Sequence, residues 1–232
     1  MDEMNKVNKR VVDHSVSARL LHLGTSSNLN KFWFLPQYYQ THPTMSQVDL
    51  ASLVDFNKRS FWVSVGTILW NPLFWNCVAQ NEYHNKTITK TLRGNRYLGC
   101  YLLAITIFSL GMFRDAMYHN ALKEQPASDL INPAIAKPLA AVLFVVGQTF
   151  VLTSTWALGI TGTFLGDYFG ILMSERVTGF PFNVVENPMY VGSTMCFAAT
   201  ALWYSSPAGL LLTLLVHIVY SIALRYEGYV YF

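Results

Sequence analysis

The residues whose types and spacing suit chemistry gather in the C-terminal half of the chain. Asp167 is a lone carboxylate inside the apolar run GITGTFLGDYFGIL, residues 159–172. An ionisable side chain at membrane depth is a functional candidate by default, and a carboxylate in a wetted loop is the plainer alternative. Asn187-Pro188-Met189-Tyr190 reads as a turn directly before an apolar helix, because proline keeps the preceding residue out of the α region. Arg225-Tyr226-Glu227 closes the last apolar run, where an interfacial anchor explains the same residues. Gly159, Gly162, Gly166 and Gly170 recur at spacings of three and four. On a helix they would make one smooth face for a second helix or a flat ligand.

Other chemistries are excluded by what the sequence lacks. His14, His22 and His42 are scattered, and His217 lies alone in an apolar run, so no metal site is expected. Cys77, Cys100 and Cys196 stand far apart without C-x-x-C spacing, which gives neither a disulfide framework nor a zinc site. They read as small buried hydrophobes. There is no G-x-G-x-x-G after a strand, no G-x-S-x-G, no H-E-x-x-H and no paired-carboxylate motif. Rossmann-type cofactor sites and the common hydrolases drop out.

Composition says what must position these residues. The chain has 232 residues, 52% hydrophobic, 15% aromatic and 12% charged. An average soluble domain carries about 25% charged residues. From residue 139 to the end the only charges are Asp167, Glu175, Arg176, Glu186, Arg225 and Glu227. So few cannot cover a domain with a polar surface. The net charge of +3 is slight, and no basic run is interleaved with aromatics, so nucleic acid is not an expected partner. The partner is the lipid bilayer.

The expectation is an all-α integral membrane protein with three to four transmembrane helices, since lipid leaves no open backbone satisfied and nothing alternates at period two as a barrel requires. Residues 1–57 form a polar N-terminal extension and residues 58–232 a membrane-embedded domain. The extension reads as a disordered cytosolic arm; a mitochondrial targeting helix over residues 9–23 is opposed by Asp2, Glu3 and Asp13. Met45 offers an internal start. Phe61–Ala79, interrupted by Asn71-Pro72 and Asn76, suggests a kinked or re-entrant first segment. Tyr97–Phe113 just reaches the minimum of roughly 17 residues for a span. Leu139 to about Thr161 spans comfortably. Tyr190–Leu224, broken at Ser205–Gly209, is expected to cross once, because Tyr190–Tyr204 alone is short. That single crossing would place Gly147 and Glu227 on one side of the membrane. Basic residues follow both the first and the second stretch, so orientation stays open. Asn85-Lys86-Thr87 is the one glycosylation triplet.

Several blocks carry a family resemblance. NPLFWN (71–76), the segment around Tyr97-Leu98, GTFLGDYFGIL (162–172), RVTGFPFNVVENPMYVGST (176–194) and SPAGLLLTLLV (206–216) closely resemble the phosphatidylethanolamine N-methyltransferases, a class of phospholipid methyltransferases. The likeness runs from about Asp55 to Glu227. It implies a multi-pass endoplasmic-reticulum enzyme, also found at mitochondria-associated membrane. Such an enzyme transfers methyl groups stepwise from S-adenosylmethionine to phosphatidylethanolamine and its mono- and dimethyl derivatives, giving phosphatidylcholine.

The resemblance also implies site residues. The family's G-x-G cofactor element falls on Val145, Val146 and Gly147, with its first glycine replaced. Its Glu-Glu pair falls on Glu227 and Gly228, with the second carboxylate replaced, and the family continues beyond Phe232 through a further polar tail. These departures motivate an alternative reading, a catalytically weak or inactive form that binds lipid or pairs with a complete enzyme. A methyltransferase for another membrane lipid or a prenylated substrate is a second alternative. The related isoprenylcysteine carboxyl methyltransferases carry a comparable Pro-x-Tyr-x-Gly element, which by analogy puts Asn187, Pro188, Tyr190 and Gly192 beside the cofactor. A homo-oligomer is compatible with all of these.

Methyl transfer asks little covalent chemistry of the protein. A neutral amine attacks the sulfonium methyl in line, so positioning and desolvation supply most of the rate. An apolar site disfavours the ammonium and so favours the attacking form. Asp167 and Tyr190 are the candidate catalytic groups, taking the released proton. Tyr168, Phe169, Phe180, Phe182 and Tyr190 offer faces to the permanent cation that accumulates.

Overall fold

The computed structural model describes residues 50–228, and within them every regular element is helical. Of the arm expected over residues 1–57, residues 1–49 lie outside the described residues, as do Tyr229–Phe232, whereas residues 50–57 are described and carry Val54 into the core. In chain order the helices are α1 (Leu50–Leu53), α2 (Arg59–Asn85), α3 (Thr87–Thr91), α4 (Arg96–Glu124), α5 (Pro133–Thr163), α6 (Pro188–Trp203) and α7 (Pro207–Gly228). A 3₁₀ turn, Gly166–Phe169, follows α5.

Local chemistry sets the helix ends. The Asn95 side chain accepts from the Leu98 amide at 3.0 Å and starts α4. Asn132 accepts from the Ala134 amide at 3.0 Å with Pro133 in the first turn of α5, and Ser206 accepts from the Gly209 amide at 3.1 Å in front of α7. Each satisfies an amide that the helix start leaves without a partner. Lys86, in the left-handed region at φ 52°, separates α2 from α3. There the buried Glu82 accepts from the Ile88 amide at 2.7 Å, the Thr89 amide at 3.1 Å and the Thr89 hydroxyl. An anion at a helix start gains from the helix dipole as well as from these bonds.

Among the described residues three helices are long and apolar enough to cross a bilayer: α4, α5 with the turn after it, and α7. Their outer faces carry large apolar side chains, such as Trp156, 90% exposed, as lipid contact requires. The first apolar stretch is a single unbroken helix, α2, with Pro72 inside it. Asn71 reaches across to the Leu110 carbonyl at 3.1 Å, so its polar amide is satisfied by α4.

The single crossing expected for Tyr190–Leu224 is corrected: the segment is a helical hairpin. Ser205, at φ 47°, turns the chain between α6 and α7, and Pro207 opens α7. A Cβ on Gly209 would lie 2.8 Å from the Ala201 Cβ, so the two helices pack tightly at the turn. Ser-Ser-Pro-Ala-Gly is therefore a stop and restart, with a capping serine and an N-terminal proline. The continuous glycine face is corrected too. Gly159, at φ 64° and ψ −178°, kinks α5 in a conformation open essentially only to glycine. Beyond α5, Gly166 opens the 3₁₀ turn and Gly170 caps it at φ 74°.

The helices run back and forth between two ends. At one end Ser60 of α2 donates to Glu124 of α4 at 2.8 Å, and the Ser128 amide donates to the Ser205 carbonyl at 2.9 Å. Gln125 exchanges two bonds with the Asp55 backbone, at 2.9 and 2.8 Å. At the other end Arg96 of α4 donates to the Gly170 carbonyl at 3.1 Å, and Tyr190 meets Glu227. Between them Phe61, Ile68, Tyr118, Leu122, Phe197 and Leu212 are among the core residues where α2, α4, α6 and α7 meet. The Tyr118 hydroxyl, buried there, donates to the Phe197 or Gly209 carbonyl, at 2.9 and 3.1 Å. α5 lies beside α6, joined at Gly147 and Gly192. A Cβ on either would come within 2.6 or 2.5 Å of the other's carbonyl oxygen.

Candidate functional site

A cavity of about 840 Å³ opens among α2, α4, α5, α6, α7 and the 3₁₀ turn. Small-molecule sites occupy roughly 300–1,000 Å³. Its polar groups come from distant parts of the chain. Glu227, on the last turn of α7, accepts from the Tyr190 hydroxyl, 2.8 and 3.0 Å from its two oxygens, and from the Trp75 indole at 3.2 Å. Three elements, α2, α6 and α7, thus fix one carboxylate. The Tyr190 ring stands edge-on to Tyr220, 4.9 Å between centroids. The Tyr220 hydroxyl accepts from Arg114 at 2.6 Å, and Arg114 is held on its other edge by Asp115 at 2.8 and 2.9 Å.

The hairpin creates this arrangement. Because α6 and α7 are antiparallel, the first turn of one meets the last turn of the other. A single continuous span would have put Tyr190 and Glu227 at opposite faces of the membrane. Tyr190 is far along the chain from Glu227 yet bonded to it.

Of the residues singled out in the sequence, Asp167, Asn187, Tyr190 and Glu227 all line the cavity. Asp167 sits in the 3₁₀ turn next to the buried Tyr168. Gly147 lies at the contact of α5 with α6, its added Cβ meeting the Gly192 carbonyl, which places it behind the cavity wall. Val145 and Val146 are on the exposed outer side of α5, 64% and 36% accessible, away from the cavity. Gly228 is the final residue of α7, next to Glu227. Phe182 and Tyr168 line the cavity, whereas Phe180 is half exposed and packs 6.3 Å from the Phe150 ring. Among the described residues no three His, Cys, Asp or Glu side chains gather to hold a metal ion.

Arg114, Asp115, Trp75 and Tyr220 were not legible as site residues. A span read as Tyr97–Phe113 stops short of Arg114, whereas α4 continues to Glu124 and carries it into the interior, 8% exposed. A signal was present: Lys123 lies one residue before the helix end, and no glycine or proline interrupts residues 112–124.

Comparison with known proteins identifies the family. Residues 135–230 match the phospholipid methyltransferase family. The chain is 53% identical over 180 residues to the phosphatidyl-N-methylethanolamine N-methyltransferase of Neurospora crassa, covering 78% of this chain and 84% of that one. It belongs to the phospholipid methyltransferase family. The phosphatidyl-N-methylethanolamine N-methyltransferase of Saccharomyces cerevisiae is 53% identical over 77% of this chain and 86% of its own. The human phosphatidylethanolamine N-methyltransferase is 44% identical over 77% and 89%. No solved structure matches the chain. As a family member it is a multi-pass membrane protein of the methyltransferase class, which implies a methyl donor. The matched region contains α5 from residue 135 onward together with α6 and α7, and so both Tyr190 and Glu227.

Proposed function

We propose that the chain methylates the amine of ethanolamine-headgroup phospholipids, taking phosphatidylethanolamine and its mono- and dimethyl derivatives toward phosphatidylcholine, with S-adenosylmethionine as donor. Its proposed place is the endoplasmic-reticulum membrane, including mitochondria-associated membrane. The carrying observation is the Glu227 carboxylate, held by Tyr190 and Trp75 at a cavity that opens within a membrane-spanning bundle. The names of relatives at 44–53% identity supply the reaction class.

The side chains present suit the donor. S-adenosylmethionine supplies a methyl on a positively charged sulfur and also carries an ammonium, a carboxylate and ribose hydroxyls. The cavity offers a carboxylate in Glu227, a cation in Arg176 and an amide in Asn187. Glu227 would hold the cationic amine or the hydroxyls, and Arg176 the carboxylate.

The chain's own residues then do three things. The apolar walls exclude water and keep the lipid amine neutral, so its lone pair is available. Tyr190, whose proton is committed to Glu227, turns its oxygen lone pair to the N–H of the primary or secondary amine and orients it. In the first two transfers Asp167 receives the proton that the newly methylated amine loses, at its carboxylate; the neutral dimethyl amine has no N–H, and its methylation releases no proton. The faces of Tyr190, Tyr168 and Phe182 hold the headgroup as methylation makes it a permanent cation.

Equilibrium binding of S-adenosylmethionine to the detergent-purified chain tests this reading. Saturable binding that weakens in Glu227→Gln is expected. No binding at millimolar cofactor would contradict an S-adenosylmethionine-dependent enzyme.

A further inference from the structure

The cavity holds a buried cation to which methyl transfer assigns no task. Arg114 lies inside α4, 8% exposed, and lines the cavity. A charged group inside a membrane protein is costly and usually marks a site. Two of its N–H groups go to Asp115, at 2.9 and 2.8 Å, and one goes to the Tyr220 hydroxyl at 2.6 Å. The Phe197 ring covers the guanidinium, 5.0 Å from its carbon. A guanidinium has five N–H groups. One on each terminal nitrogen is therefore left without a partner among the described residues. Paired N–H groups of this kind match two oxygens of a phosphate.

We propose that Arg114 binds the phosphodiester of the substrate lipid, with the acyl chains lying in the gap between α4 and α5. This rests on the proposed function, and it names how the lipid is held.

The charge pattern fits a zwitterionic headgroup. Arg114 touches Tyr220, Tyr220 packs on Tyr190, and Tyr190 touches Glu227. A cation and a carboxylate thus stand at opposite ends of one aromatic pair. Tyr220 precedes Glu227 by two helical turns, roughly 10 Å along α7. A phosphate at Arg114 sends the two-carbon linker and its amine along the aromatic pair toward Tyr190, Asp167 and the donor. The deeper anion and shallower amine follow the order in which a lipid presents them from tails to headgroup.

The tails have a way out. Phe108 and Met112 of α4 and Phe144 of α5 line the cavity, yet they remain 62%, 57% and 47% exposed. The cavity therefore reaches the apolar outer surface of the bundle between these two helices. Acyl chains leaving there stay in the hydrocarbon of the bilayer, and the lipid enters sideways without crossing an aqueous phase.

The test uses the full chain in detergent, with dodecyl phosphate as probe. Its binding is read by displacement of phosphatidyl-N-methylethanolamine bearing a fluorescent tail. S-adenosylmethionine affinity is measured in parallel by calorimetry. In Arg114→Gln, dodecyl phosphate and the labelled lipid should both weaken about tenfold to hundredfold, as loss of charge-assisted hydrogen bonds predicts, with cofactor affinity kept. Arg114→Lys should recover part of the loss. Unchanged displacement by dodecyl phosphate in Arg114→Gln overturns the assignment. If that variant does not fold, the native chain decides: displacement by dodecyl phosphate far below the concentration of dodecanol needed supports the site, and equal potency overturns it. Displacement needs no turnover. A native chain that binds dodecyl phosphate through Arg114 but methylates no ethanolamine lipid would contradict the proposed function and leave this site standing.

Discussion

Tyr190, in the first turn of α6, donates its hydroxyl to the carboxylate of Glu227, in the last turn of α7, with the two oxygens 2.8 and 3.0 Å away. This contact closes the open end of the α6–α7 hairpin and fixes a half-buried carboxylate at the cavity. Removing either partner should therefore damage the same function. Glu227→Gln and Tyr190→Phe should each raise the KM for S-adenosylmethionine by about tenfold or more, since hydrogen bonds to charged groups contribute about 1.5–3 kcal/mol. The double variant should fall well short of the product of the two effects, because both break one pair. Steady-state kinetics with saturating lipid checks this; an unchanged cofactor KM in Glu227→Gln removes the assigned contact.

Asp167→Asn keeps the shape of the 3₁₀ turn and removes the proton acceptor. General-base catalysis contributes typically 10²–10⁴-fold, so kcat should drop about a hundredfold or more with cofactor affinity unchanged. Rapid-quench measurement of the first methyl transferred checks it. Native turnover in this variant would take Asp167 out of the mechanism.

Gly147 and Gly192 face each other across α5 and α6 so closely that a methyl on one reaches the other's backbone. Neither helix can shift without disturbing the wall that carries Tyr190. Gly147→Ala or Gly192→Ala should destabilise the protein by about 1–3 kcal/mol, the usual cost of overpacking a tight contact. Thermal unfolding in detergent reads this as a lowered Tm. In this structure Gly147 acts through helix packing, so its loss should lower stability more than it changes cofactor binding in the folded fraction.

How far this was legible in the sequence follows from which interactions are local. Helix class, the long apolar spans and the start of α6 rest on composition, on length and on Asn187-Pro188, all of which act within a few residues. Asp167 is marked by its type and Asn187, Tyr190 and Glu227 by the family resemblance, and all of them line the cavity. The hairpin is not legible in length alone, because fifteen residues are short for a span. What stabilises so short a helix is not its own length but its packing on α5 through Gly192 and on α7 through Ala201 and Gly209. Arg114 was missed for a related reason. Its place in the interior depends on Asp115 and on Tyr220 of another helix, and a hydropathy window sees only the charge.

Asn85 closes α2 at the same end as the 3₁₀ turn, where Ile88 packs near Phe169. If the donor arrives from the cytosol at the Glu227 end, Asn85 faces the cytosol as well. The Asn85-Lys86-Thr87 triplet should then carry no glycan, and digestion with an endoglycosidase should leave the mobility of the expressed chain unchanged. A mobility shift abolished by Asn85→Gln would place this end in the lumen.

The most direct measurement is methyl transfer itself. The purified chain is placed in lipid nanodiscs containing phosphatidylethanolamine or phosphatidyl-N-methylethanolamine and given S-adenosylmethionine labelled in its methyl group, and the extracted lipids are resolved by headgroup. The predicted result is label in the N-methylated headgroups, progressing to phosphatidylcholine, and greatly reduced in Glu227→Gln at low cofactor. Label absent from every ethanolamine-derived headgroup, with the native chain folded and saturated with cofactor, would contradict the account.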